Sequence, residues 1–144
     1  MDETDRALLR LLADNARAPV ATLARKLGLA RSTVQARIDR LENRGVIAGY
    51  ALRLGDAAEV EMIRATVLLT LEPRATAAVL ARLKALPAVE RAHTASGRFD
   101  MVLSVAAGST TALDDTLDRI GEIDGVRASE SLIHLSTRID RRGF

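Results

Sequence analysis

Residues 20–47 read VATLARKLGLARSTVQARIDRLENRGVI, and this stretch decides the first half of the fold. Val20, Leu23, Ala24 and Leu27 stand at i, i+3, i+4 and i+7, one apolar stripe along a short helix. Gly28 follows, a residue that takes the left-handed conformation ending such a helix and turns the chain into the next one. Val34, Ile38 and Leu41 start a second stripe, which Gly45 closes before Val46-Ile47. Two short helices joined by a three- or four-residue turn containing Gly are the sequence image of a helix-turn-helix over about 20–41. The second helix directs Arg31, Ser32, Thr33, Gln35, Arg37 and Arg40 away from its stripe, the display expected of a helix that reads double-stranded DNA.

The chain has 144 residues, enough for one ordinary domain or two small ones. Hydrophobic residues make up 48% and charged residues 28%, a balance that supports a packed core and argues against global disorder. No apolar run is long enough for a membrane span, and the N-terminus is acidic where a signal peptide is basic. With no cysteine there is no disulfide framework and no thiolate ligand or nucleophile, so a cytoplasmic location is expected. The net charge of +2 is unevenly spread: residues 1–55 hold ten Lys/Arg against six Asp/Glu, so the basic part coincides with the helix-turn-helix. Tyr50, Phe99 and Phe144 are the three aromatics, too few for single-strand binding by base stacking.

Residues 2–15 are predicted as the first helix, with Asp2 as cap, Glu3 and Asp5 at its positive end, and Leu8, Leu9 and Leu12 buried. Residues 46–50 and 51–54 look extended, which gives an N-terminal domain over 1–54. Periodicity stops over 55–62, the expected linker. The period then changes. From Ile63 to Leu71 the odd positions are apolar, a strand with one buried face. Pro73 is expected to open a helix carrying Val79, Leu80, Leu83 and Leu86, and Pro87 to stop it. Val89–Ala95 and Met101–Ala106 are predicted strands, Leu113, Leu117 and Ile120 mark another helix, and alternation from Ser131 to Ile139 predicts a last strand. The order βαββαβ over 63–144 gives an α+β, ferredoxin-like domain: a four-stranded antiparallel sheet with both helices on one face. Leu68, Leu132 and His134 fall on the other face, and a partly apolar open face calls for a partner. Homodimerisation by sheet-to-sheet packing is the economical solution.

Over nearly its whole length the chain resembles the Lrp/AsnC family of prokaryotic transcriptional regulators. The residues that carry the resemblance are Asp5-Arg6 with Leu8-Leu9, then LARKLGL (23–29), RIDRLE (37–42) and GVIAGY (45–50), then TASGRFD (94–100). The resemblance implies a winged helix-turn-helix followed by a ferredoxin-like effector domain, often called RAM. It also implies dimers that assemble into tetramers or octamers, and control by an amino acid or related metabolite. Two positions depart from the family pattern: Ala30 replaces the usual Ser at the start of the recognition helix, and Arg98 stands where an acidic residue is common.

In a major groove, Gln35 would pair with adenine and Ala36 would touch a thymine methyl, with Ser32 and Thr33 beside them. Arg31, Arg37 and Arg40 would contact phosphate. The alternatives are a solvated face for Ser32 and Gln35, and a structural ion pair for Arg37 with Glu42 or Asp39. For the effector, Gly97 permits close backbone approach, the N–H groups of a tight turn bind a carboxylate, and Asp100 receives an ammonium. Thr94, Ser96, Gly97, Arg98, Phe99 and Asp100 are the candidates, joined by Ser136 and Thr137. The alternative is a plain hairpin turn in which Asp100 caps backbone N–H groups.

His93 and His134 are the only histidines, without the ligand spacing of a metal site. No paired carboxylates, activated nucleophile or phosphate loop stands out, so neither catalysis nor a cofactor is expected. Two rival readings remain: a metabolite-binding module acting on a protein partner, and a cofactor-free oxygenase or isomerase on the same sheet. The N-terminal third argues against the enzyme.

Overall fold

Asp2 starts the first helix. Its carboxylate accepts the Asp5 N–H at 2.8 Å while the Asp5 carboxylate accepts the Asp2 N–H at 3.2 Å, a reciprocal capping box. The computed structural model describes residues 1–53 and 61–139. They fall in two compact units, 1–53 together with Ile139, and 61–138. Of the expected linker over 55–62, only Glu61 and Met62 are described, and residues 140–144 of the expected second domain also lie outside the described residues.

The first unit contains α1 (Glu3–Asp14), α2 (Val20–Leu27) and α3 (Arg31–Asn43). Gly28 ends α2 with φ 66° and ψ 33°, the left-handed cap expected from the sequence, and α3 begins after Leu29 and Ala30. One core gathers Leu8, Leu9 and Leu12 of α1, Leu23 and Ala24 of α2, and Val34, Ile38 and Leu41 of α3. The N-cap position of α3 is Ala30, which supplies no side-chain bond. After α3, the N–H groups of Val46 and Ile47 both donate to the Leu41 carbonyl. Residues 46–53 then carry no strand ladder, so the wing expected there forms no hydrogen-bonded hairpin among the described residues.

The second unit runs β1 (Ile63–Leu71), α4 (Thr76–Lys84), β2 (Val89–Thr94), β3 (Met101–Ala107), α5 (Thr110–Gly121) and β4 (Val126–Ile133). Its sheet order is β2-β3-β1-β4 with every neighbouring pair antiparallel, the ferredoxin-like arrangement. Ala65, Val67, Leu69 and Leu71 of β1 and Met101, Leu103 and Val105 of β3 share one face. That face is packed by Val79 and Leu83 of α4 and Leu113 and Ile120 of α5. Both helices therefore cover the same side.

Two elements differ in their bounds from the sequence reading, α4 and the last strand; α4 ends at Lys84, short of Leu86 and Pro87. Pro73 does not open α4: Arg74 takes a left-handed conformation (φ 65°), and the helix starts only at Thr76. The last strand lies at 126–133, not 131–139. Its register sets Ala65 opposite Ile133 and Leu71 opposite Val126, and the His134 N–H donates to the Arg64 carbonyl. Beyond that point β1 has almost no backbone left to pair. The alternating residues Leu135 and Ile139 stay exposed (97% and 74%), so their pattern has no buried face behind it.

Among the described residues of this unit, no helix covers the opposite face of the sheet. Thr66, Leu68 and Thr70 of β1 and Val102 and Ser104 of β3 are half-buried there, and Leu132 is 50% exposed. Thr66 Oγ1 lies 2.8 Å from His134 Nε2, and Arg64 pairs with Glu90.

Candidate nucleic-acid interface and effector turn

On α3 the buried stripe Val34, Ile38 and Leu41 fixes which residues face outward. Arg31, Ser32, Thr33, Gln35, Ala36 and Arg40 are exposed, and Arg37 is half-buried. Ser32, Thr33, Ala36, Arg37 and Arg40 line one shallow depression of about 390 Å³. The structure thus brings together five of the seven residues expected to meet DNA, with Arg31 and Gln35 outside the depression. Gln35 Nε2 donates to Asp39 Oδ1 at 2.7 Å, an i, i+4 contact that orients the amide and leaves its oxygen unused in that bond.

Arg37 is engaged, but with neither Glu42 nor Asp39. Its Nη1 donates to Asp2 Oδ2 and to Asp5 Oδ1, each at 2.8 Å. Arg40 Nη2 donates to both oxygens of Asp5, at 3.0 and 3.1 Å. The guanidinium of Arg37 holds the Asp2 carboxyl below the usual carboxylate range, assisted by the Asp5 N–H. At Asp5 burial pushes the pKa up, but the Arg37 bond, the Asp2 N–H and the Arg40 charge together bring it below that range. In the sequence Asp2 was legible as a helix cap and Asp5 as a charge at the helix's positive end. Nothing local in the sequence discloses partners 32 to 35 residues away. A further contact not foreseen is the Tyr50 hydroxyl donating to Glu42 Oε1 at 2.8 Å. Burial, then the Glu42 bond, raises the tyrosine pKa.

In the second unit, Thr94 ends β2 and the turn to β3 carries Ser96, Gly97, Arg98, Phe99 and Asp100. The Ala95 N–H donates to the Asp100 carbonyl at 2.9 Å, closing the turn. Asp100 is also stitched to β1: its N–H donates to the Leu69 carbonyl at 2.8 Å, and its Oδ2 accepts the Leu71 N–H at 2.7 Å. The carboxylate therefore caps backbone through Oδ2, with Oδ1 outside that bond. The Arg98 guanidinium lies 4.9 Å above the Phe99 ring, a cation–π contact.

Ser136 and Thr137 do not join this turn within one chain. They follow His134, which pairs with Arg64 near the start of β1, whereas Asp100 pairs with Leu69 and Leu71 at its far end. The run of β1 from Arg64 to Leu69 and Leu71 separates the two places by about 20 Å. Among the described residues, no group of three His, Cys, Asp or Glu side chains is placed to hold a metal ion, and no helix is long and apolar enough to cross a membrane.

Comparison with known proteins places both units. Residues 1–42 match the AsnC-type helix-turn-helix domain, and residues 64–144 match the Lrp/AsnC ligand binding domain. The HTH-type transcriptional regulator LrpA of Mycobacterium tuberculosis is 37% identical over 143 residues, covering 99% of this chain and 95% of its own length. The structure of Escherichia coli AsnC superposes with a TM-score of 0.89 at 26% identity, covering 98% of this chain and 96% of that one. A transcriptional regulator from Neisseria meningitidis, solved as an L-Met complex, shares the fold with a TM-score of 0.88 at 22% identity, covering 100% of this chain and 96% of that one. With one matched domain spanning more than half its length and a near full-length relative beside it, this chain belongs to the Lrp/AsnC family of transcriptional regulators.

Proposed function

We propose that this chain binds specific sites on double-stranded DNA through α3 and is controlled by an amino acid or related metabolite bound to its effector domain. The DNA-binding domain spans 1–54 and a linker over 55–62 leads to the effector domain over 63–144. The observation that carries the reading is the outward row of α3: Ser32, Thr33, Gln35 and Ala36 are exposed, with the cations Arg31 and Arg40 beside them, on a helix anchored by three buried residues. Hydroxyl, amide and methyl groups of this kind match base edges in a major groove, while flanking guanidiniums match phosphate. The protein works by binding, without a catalytic step or a cofactor, where the chromosome is, in the cytoplasm.

One such unit reaches few base pairs, so two copies are needed for adequate affinity, and an imperfect palindrome is the expected operator. The open sheet face around Leu68, Val102 and Leu132 supports the pairing, with tetramers or octamers built from such dimers. The relative solved with L-Met supports an amino-acid ligand, which we assign to the surface around Thr94, Ser96, Gly97, Arg98, Phe99 and Asp100. Since Ser136 and Thr137 lie at the other end of the sheet, they reach that surface only from a neighbouring subunit. A ligand bridging subunits shifts assembly as far as it prefers one assembled state, and so acts on DNA occupancy.

Selection of bound duplexes from a random pool tests the reading. Enrichment of a two-fold related sequence is expected, and Gln35→Ala should flatten base preference at one position per half-site, a loss of about 1–3 kcal/mol of discrimination there. Equal losses on selected and random DNA would remove the reading role of Gln35. A pool that never enriches would favour a metabolite-binding module that acts on a protein partner.

A further inference from the structure

Asp5 is the charged side chain that the described residues bury most completely, at 1% exposure. A carboxylate taken out of water stays ionised only when its oxygens are matched by donors. Asp5 has them: the Asp2 N–H, Arg37 Nη1 and Arg40 Nη2 all converge on it. Both guanidiniums come from α3, three residues apart and therefore on one side of the helix. Their surroundings differ. The Arg37 side chain is 22% exposed and is closed off by Asp2 as well as Asp5. The Arg40 side chain is 48% exposed and spends one nitrogen, Nη2, on Asp5.

A guanidinium has five N–H donors in a rigid plane, so a clamp on one nitrogen orients the others without consuming them. Arg40 lines the same depression as Ser32, Thr33 and Ala36. We propose that Asp5 is a positioning residue for DNA binding: it holds Arg40 from the helix-1 side so that the remaining donors face duplex phosphate, while Arg37 is the strut that completes the site. An unrestrained arginine loses side-chain freedom when it docks, and Arg40 has lost it already on folding. This inference rests on the reading of α3 as the DNA-contacting helix.

A double-mutant cycle on the full-length protein tests it, using a duplex enriched from the random pool and a series of salt concentrations. Arg40→Ala is expected to weaken binding roughly tenfold and to lower the slope of log affinity against log salt by about one. Asp5→Asn should weaken binding severalfold when Arg40 is present, and add nothing when Arg40 is already alanine. Equal losses in both backgrounds, with circular dichroism showing intact helices, would overturn the proposal, because Asp5 would then act on the fold alone. Should Asp5→Asn fail to fold, Arg40→Lys decides. Lysine keeps the charge but cannot span carboxylate and phosphate in one plane, so affinity near that of Arg40→Ala is expected, and wild-type affinity would refute the clamp. Absence of wild-type binding to every duplex would instead refute the DNA-binding reading beneath it.

Discussion

Gly125→Val is expected to lower the melting temperature of the effector domain by more than about 10 °C, the product of roughly 2–5 kcal/mol of lost stability. Gly125 sits between α5 and β4 with φ 101°, a conformation that a β-branched residue adopts only under strain. A Cβ there would stand 2.7 Å from the Ala75 Cβ and 3.1 Å from Val79 Cγ2. Val79 is fully buried, so the neighbour cannot swing into solvent. The Gly125 carbonyl also accepts the Glu72 N–H at 2.7 Å, so a shift of the turn would loosen the end of β1. Gly108→Val is the control, since a Cβ at Gly108 meets nothing within 4 Å. Thermal unfolding followed by calorimetry separates the two; equal melting would mean that the turn does not pack against α4.

The second large effect is in the helix-turn-helix. Asp5→Ala should cost about 2–3 kcal/mol, because it removes the Asp5 half of the capping box and leaves two guanidiniums without their shared carboxylate, although both can still reach water and Arg37 keeps Asp2. In a unit of this size that lowers the melting temperature by roughly 10–20 °C. The pH dependence carries the sign of the interaction. Asp5 and Asp2 both have lowered pKa values in the folded protein, so the unfolded chain takes up their protons first as pH falls. Their stabilisation is complete above the usual carboxylate range and is lost as pH drops through the lower folded values. The gap between wild type and Asp5→Ala is therefore expected to be full at neutral pH and to close on acidification. A gap independent of pH would show that the loss is one of packing and not of charge.

The helical stripes were legible because they are local. Val20, Leu23, Ala24 and Leu27 declare α2 within eight residues, and Gly28 has the conformation its position implied. The same holds for β1, whose alternation from Ile63 to Leu71 matches its observed span. What escaped was set by distant parts of the chain. The strand over 126–133 is mostly exposed and half polar (Arg127, Ser129, Glu130, Ser131), and pairing with β1 makes it a strand. Leu135 and Ile139 show the converse, a strand-like alternation with no partner backbone beside it. On α3 the outward residues follow from the stripe that opposes them, so Ser32, Thr33 and Ala36 could be named. The partners of Arg37 and Arg40 could not, since Asp2 already had a sufficient local explanation as a helix cap and Asp5 as a charge at the helix's positive end. Asp100 was similar: the sequence allowed either an ammonium contact or a backbone cap, and the bond from Leu71 shows that one oxygen serves the cap.

Fluorescence anisotropy on the duplex enriched from a random pool, against a scrambled duplex of equal length and at several salt concentrations, tests the central claim most directly. A base-reading α3 flanked by phosphate-seeking guanidiniums should bind the enriched duplex at least about a thousandfold more tightly than the scrambled one. Affinity for both should fall steeply as salt rises, since each neutralised phosphate releases counterions. Equal affinity for the two duplexes, or affinity unmoved by salt, would contradict the account.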